Sequence, residues 1–268
     1  MPVITTNTSA NSALRYLNIN SEAQTNALNQ VASGSRITRA SDDAAGLAVA
    51  TKLQSDVAVL GQASTNASHA ASVLETADGG LSSISDVLER MKVLCAEAVS
   101  GAIGDDELAY IVSEYNTLVD EIDLIAQTTT FNGTSLIDGS YSATFLVGTS
   151  ASDVISVAIS GADATDLSLA DVTTSSDFTT VLTTVNSAIN TLASVRADVG
   201  AQESQFSYHA DQITSSEENL DAAQSAIVDA DVAEAQSDFS SAQVRTNAAI
   251  AALASANDMP QQLLSLLQ

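Results

Sequence analysis

The chain has no tryptophan, one cysteine, two prolines and only eight lysines and arginines among its 268 residues. Each scarcity excludes something. With Cys95 alone, no intramolecular disulfide can form. The prolines stand at positions 2 and 260, so nothing from Val3 to Met259 forbids helix continuation. Eight cations against 33 carboxylates leave a formal net charge of −25, which excludes nucleic acid and anionic membranes as electrostatic partners. No apolar run approaches the roughly 18 residues that would span a bilayer. The opening MPVITTNTSANSALRYLNIN lacks the basic start and apolar stretch of a cleavable signal. These absences fit a cytosolic protein, or one exported by a route that reads no such signal.

Chemistry is also scarce. Two histidines, His69 and His209, are too few for common metal or triad arrangements, and HExxH, CxxC, GxSxG and a phosphate-binding glycine loop are all missing. Cys95 and His209 both fall on apolar seams, where a packed side chain is the simpler role. No enzyme, cofactor or metal site is expected.

What the chain does have is heptad spacing. Leu81, Ile84, Leu88, Met91, Cys95 and Ala98 recur in steps of three and four, and Leu108, Ile111, Tyr115, Leu118, Ile122 and Ile125 repeat the pattern. Between them SGAIGDDEL stops one helix with glycine and starts the next with Asp105 and Asp106, predicting an antiparallel hairpin. A third seam runs from Val199 through Gln202, Phe206, His209, Ile213, Ser216, Leu220 and Ala223 to Ile227, extending back to Val185. The last segment offers Ala235, Phe239, Ala242, Thr246, Ala249, Leu253 and Ala256. The first offers a weaker stripe of Ala10, Leu14, Leu17, Leu28 and Val31. A Thr/Ser/Gly-rich middle contains YSATFLVG and DVISVAIS, which read as two short strands. The expected order is three helices, a small β segment and two more helices. One helix from Ala44 to Ser100 would span roughly 85 Å. Gly61, Gly79 and Gly80 weaken it by about 1 kcal/mol each, less than the seam residues return on burial.

The two ends differ from the body. The first 33 residues carry only Arg15 and Glu22, and Ser240 to Gln268 carry only Arg245 and Asp258. Rich in Ala, Asn, Ser and Gln, such ends are marginal as lone helices and fold by associating. Three of the eight cations, Arg36, Arg39 and Lys52, crowd around Asp42 and Asp43 in GSRITRASDDAAGLAVATKL. Asp42 and Asp43 suit the cap of the following helix.

These residues resemble a family. ASGSRITRASDDAAGLAVATKL is similar to the segment that follows the first helix of bacterial flagellins. LSSISDVLERMKVLCAEAVSG, EIDLIAQTTTFNGTSLIDG, LASVRADVGAQESQF and ANDMPQQLLSLLQ resemble later family motifs in the same order. The likeness covers the chain outside about residues 141–176.

The resemblance implies a mainly α fold: a long antiparallel coiled-coil helical bundle, N- and C-terminal helices paired, with a small central β-hairpin region. It implies an inner filament core from residues 1–42 and 231–268. An outer tube would come from 43–230, with the β-hairpin region at about 128–176, and no large outer domains. The implied function is the structural subunit of the flagellar filament, a motility propeller that is secreted and extracellular. Expected subunit-interface residues are Arg36, Arg39, Asp42, Asp43, Leu14, Leu17, Phe239, Leu253, Leu263 and Leu264. Arg36 and Arg39 would pair with carboxylates of neighbouring copies. Implied partners are further copies, a type III export chaperone, the filament cap, hook-junction proteins and host innate immune receptors. Residues 29–50 resemble the plant immune epitope, departing at Arg39 and Ser41. Arg90, Leu94 and Glu114 resemble the contact set for an animal Toll-like receptor, with departures at Val93 and Cys95. The alternatives are a hook–filament junction protein and a cytosolic coiled-coil adaptor.

Overall fold

Among the described residues there are five helices, as the heptad spacing predicts. In order the elements are α1 (Thr8–Ser33), α2 (Ala44–Val99), α3 (Asp105–Thr128), β1 (Thr130–Phe131), β2 (Thr134–Ser135), β3 (Ser142–Leu146), β4 (Val154–Ala158), α4 (Phe178–Val228) and α5 (Val232–Ser265). The computed structural model describes residues 6–100 and 103–265, with side chains described to residue 259. The chain divides into two units: residues 1–55 with 219–268, and residues 56–218. Helices α2 and α4 contribute to both.

In the first unit α1 and α5 run antiparallel. Asn7 holds one end twice over: its Oδ1 accepts from the Ala10 amide at 3.0 Å, capping α1, and its Nδ2 donates to the Ala256 carbonyl at 2.7 Å. The seam of α5 follows the predicted positions, with Ala235, Ala242, Ala249 and Ala256 buried and Phe239, Thr246 and Leu253 half-buried between them. The seam of α1 differs from the expected stripe. It passes through Ala10, Ala13, Leu17, Asn20, Gln24, Ala27 and Val31, while Leu14 and Leu28 are exposed. The alternating three-and-four step holds, but alanine and two side-chain amides fill most of it. Asn20 donates its amide to the Arg245 carbonyl across the pair at 3.4 Å. A methyl at the seam lets two helices approach closely, and Leu14 and Leu28 are left on the flank.

The second unit has a heavier core. The α2 seam predicted from Leu81 to Ala98 extends back without a break through Ala77, Leu74, Ala70, Ala67 and Ala63 to Leu60, all of them buried. Helix α3 returns beside it and buries Ile111, Tyr115, Val119, Ile122 and Ala126. Glu107 reaches back to the Gly104 amide at 2.6 Å, and Asp105 and Asp106 share that first turn. Helix α4 adds Val185, Leu192, Val199, Phe206 and Ile213. Its buried stripe departs from the expected one near the C-terminal end, where Ala223 is exposed and Gln224 is half-buried instead.

Both expected strands form. β3 and β4 pair antiparallel, Ser142 opposite Ala158 and Leu146 opposite Val154. The hairpin buries Ile155 and Val157, and Phe145 meets Phe206 of α4 edge to face at 5.7 Å. A smaller hairpin, β1–β2, turns at Asn132-Gly133, both with positive φ. The irregular stretch that follows β4 is pinned rather than loose. Asn116 both donates to the Val172 carbonyl (3.1 Å) and accepts from its amide (2.9 Å), and Asp123 accepts from the Ala164 amide at 2.8 Å.

The adjacent glycines of α2 do different things. A Cβ on Gly79 would meet nothing within 4 Å, whereas on Gly80 it would lie 2.6 Å from Thr129 Oγ1, 2.7 Å from Thr129 Cγ2 and 3.1 Å from Ile137 Cδ1. Thr129 Oγ1 is itself fixed on the Ile125 carbonyl at 2.7 Å. Gly79→Ala should therefore stabilise by up to about 1 kcal/mol through helix propensity. Gly80→Ala should destabilise by about 1–3 kcal/mol through overpacking. Urea unfolding of the pair checks this; two equal shifts would refute a close-packing role for Gly80.

Candidate assembly surface

The connector from α1 to α2 is built on three caps. Gly34, at φ 68°, ends α1 in the left-handed conformation that only glycine adopts without cost, and its amide donates to Gln30. Asp43 begins α2, its Oδ1 accepting from the Gly46 amide at 2.8 Å. A Cβ on Gly46 would sit 2.4 Å from that same carboxylate and 3.0 Å from Ile37, so the cap requires glycine three residues on. Asp42 closes the turn between them. Its Oδ2 accepts from the Thr38 hydroxyl (3.0 Å), the Thr38 amide (3.1 Å) and the Arg39 amide (2.9 Å). The Thr38 hydroxyl first, and then the Arg39 amide, hold its carboxyl below the usual aspartate range.

The third cap belongs to α4. Arg36 donates from Nε and Nη2 to the Ile227 carbonyl at 3.1 and 2.7 Å, one residue before that helix ends. A guanidinium there satisfies an orphan carbonyl and complements the negative end of the helix dipole. Backbone bonds join the same segments: the Arg36 amide donates to Val228 at 2.6 Å, and the Ala230 amide to Gly34 at 2.9 Å. Within the chain, Arg36 thus meets a carbonyl, a role its position among aspartates does not reveal. Arg39 and Lys52 are exposed.

Large apolar side chains stand outside the α1–α5 seam. On α1 these are Leu14 (47% exposed), Tyr16, Ile19 and Leu28; on α5 they are Val232, Val244 (68%), Ile250 and Met259. Of the residues predicted for a subunit interface, Leu14 joins this outward set, while Leu17, Phe239 and Leu253 are half-buried. The side chains of Leu263 and Leu264 lie outside the described residues. Sequence reading missed Tyr16, Ile19, Val244 and Ile250; the available signal was a large apolar residue lying off a small-residue heptad.

In the second unit Arg90 and Glu114 form an ion pair between α2 and α3 at 2.6 Å, and Leu94, from the same predicted trio, is buried. Arg196 grips Asp78 with Nε at 2.9 Å and Nη2 at 3.3 Å, joining α4 to α2. Burial pushes the Cys95 thiol up to about 11, as befits a packed side chain rather than a nucleophile.

Residues 4–142 match the bacterial flagellin N-terminal helical region, and residues 182–267 match the bacterial flagellin C-terminal helical region. The chain belongs to the bacterial flagellin family. This flagellin is 34% identical to a flagellin of Bacillus subtilis (strain 168), over 98% of each chain. It is 31% identical to a flagellin of Halalkalibacterium halodurans, over 99% of this chain and 100% of the relative. Its fold also resembles a protein assigned as flagellar hook-associated from Vibrio parahaemolyticus, at TM-score 0.59 and 12% identity, over 69% of this chain and 99% of the other. As a flagellin it is a structural protein, not an enzyme.

Two measurements probe the connector of this flagellin. Because Asp42 is held below its unfolded value, its stabilising effect is present above about pH 4 and is lost as pH falls through the folded value. The Thr38 and Arg39 amide shifts in NMR should move on acidification below about pH 4 in the native chain, and stay flat in Asp42→Asn. The same acid transition in the variant would assign it elsewhere. Arg36→Ala should speed hydrogen exchange at Asp229 and Ala230 by about fivefold, the loss of roughly one net hydrogen bond. Unchanged protection would mean that Arg36 does not cap α4.

Proposed function

We infer that this flagellin is the structural subunit of a bacterial flagellar filament, polymerising with copies of itself into the helical propeller of motility. The observation that carries the reading is the α1–α5 pair, which packs largely on alanine and leaves Leu14, Tyr16, Ile19, Val244 and Ile250 facing outward. In a polymer those side chains would be covered by other copies; with about half to two thirds of each still exposed, each would contribute on the order of 1–2 kcal/mol on full burial. Flagellins that match from end to end favour this reading over a hook–filament junction protein or a cytosolic adaptor.

In this reading residues 1–42 and 231–268 form the inner core of the filament, and residues 43–230 its outer tube. The chain is exported, carries its charge on the outside of the cell, and is handled by an export chaperone, a filament cap and hook-junction proteins. Arg36, Arg39, Asp42 and Asp43 lie where copies meet. The guanidinium of Arg36 has five donors, so capping α4 with two still leaves capacity for a neighbour's carboxylate. Arg90, Leu94 and Glu114 are the candidates for an immune-receptor contact, with Leu94 supporting the exposed ion pair from beneath the surface.

Seeded elongation followed by electron microscopy tests the assembly reading. Leu14→Ser combined with Ile250→Ser should leave the helical content of the monomer unchanged and raise the monomer concentration needed for elongation by more than about tenfold. Elongation at the native concentration would remove the outward apolar residues from the interface.

A further inference from the structure

The chain has three methionines, at positions 1, 91 and 259, and the two within the described side chains stand in opposite settings. Met91 is fully buried in the α2 seam, between Leu88 and Cys95. Met259 is 47% exposed and belongs to the outward apolar set of α5. The side chain of Met1 lies outside the described residues. The remaining sulfur, that of Cys95, is as buried as Met91, and burial keeps it as the thiol. A small oxidant in solution therefore meets the Met259 thioether before either buried sulfur.

Position adds to exposure. Asn7 ties the start of α1 to α5 by donating to the Ala256 carbonyl. Met259 follows within one helical turn, so it stands beside the point where the pair is latched. A thioether there is apolar, flexible and polarisable, suited to filling a contact with another copy. Its sulfoxide is polar and chiral, and burying that oxygen without a hydrogen-bond partner is unfavourable.

We propose that Met259 is a redox-sensitive contact of the assembly face, which peroxides convert to the sulfoxide in the free subunit and which then opposes addition of that subunit to the polymer. The inference rests on self-assembly as read above and adds a chemical control to it. In the reaction a sulfur lone pair takes one oxygen of the peroxide as the O–O bond breaks. With hydrogen peroxide the other oxygen keeps both protons and leaves as water. Sulfur loses two electrons and the peroxide gains them. A dithiol reductant reverses the change: its two thiols become a disulfide, and the sulfoxide oxygen leaves as water. The modification adds no charge, so it acts through the loss of apolar burial. Once copies cover the side chain, peroxide no longer reaches it, and the free subunit is the sensitive form.

The test treats the full chain, as monomer, with hydrogen peroxide and maps the products by peptide mass spectrometry. Met259 should gain oxygen at least about tenfold faster than Met91, which reacts only through local opening of the second unit. Seeded elongation then reads the consequence. Oxidised monomer should need about tenfold higher concentration to elongate, the effect of burying one unpaired polar group. Methionine sulfoxide reductases of both epimer specificities, with dithiothreitol, should restore the native concentration. Met259→Leu, a volume-conserving change, should elongate like the native chain and keep doing so after peroxide. Loss of elongation in peroxide-treated Met259→Leu would overturn the proposal by placing the sensitive residue elsewhere. Normal elongation of the native chain with sulfoxide at position 259 would overturn it as well, as would oxidation of Met259 in finished filaments at the monomer's rate. Failure of the untreated chain to elongate from seeds would instead overturn the filament reading on which it rests.

Discussion

The close approach of α1 to α5 through alanine is the constraint on which the rest of the structure depends. Ala27, Ala235, Ala242, Ala249 and Ala256 are buried there, and the larger residues of both seams are only half-buried. A methyl group removes little apolar surface from water, about a quarter of what leucine removes on the scale of roughly 0.8 kcal/mol per buried methylene. Replacing a seam alanine by leucine would push the helices apart before it added useful contact. The pair is thus specified geometrically and stabilised weakly. Most of its strong apolar groups are kept on the flank.

The connector answers that weakness locally. Around Arg36 a short stretch of chain satisfies the end of α1, the start of α2 and the end of α4 with Gly34, Asp43 and the guanidinium itself. Such caps each contribute on the order of 1 kcal/mol, comparable with a buried alanine. Arg36, Asp42 and Asp43 are therefore accounted for by helix ends and the turn between them before any neighbour is considered, while Arg39 and Lys52 stand exposed. Arginine and aspartate share the connector because helix termini of both polarities meet there.

Much of this was legible in the sequence, and the failures have physical causes. The α2 seam is readable from Leu81 onward because Leu, Ile and Met contrast with polar neighbours; from Leu60 to Ala77 it is mostly alanine, which occurs on every face and gives no contrast. The same ambiguity placed Leu14 and Leu28 in the α1 stripe, where Asn20 and Gln24 hold seam positions that an apolar count passes over. Strands β3 and β4 were visible in their β-branched runs, whereas two residues each of β1 and β2 are too few to alternate. Gly80 reads in sequence as a helix breaker, and only the position of Thr129 turns it into a packing requirement. Long-range polar pairs such as Asn116 with Val172 and Arg196 with Asp78 leave no local trace. For the assembly surface, composition pointed to the two ends of the chain, but which leucines face outward needed the true seam.

The two units differ in what holds them together, and that difference bears on function. The second unit encloses Tyr115, Phe206 and a run of fully buried leucines and isoleucines. Among the described residues of the first, the buried apolar set is six alanines and Ile37. Ordering a residue costs roughly 1–2 kcal/mol of backbone entropy, which alanine burial alone does not offset over helices of 26 and 34 residues. The missing stabilisation is present in the sequence but faces outward, in Leu14, Tyr16, Ile19, Leu28, Val244 and Ile250. A chain organised this way gains its full stability only when copies cover those side chains. Association then acts as a ligand of the folded state and raises its stability by mass action. In the filament reading, folding of the ends and growth of the polymer are therefore coupled.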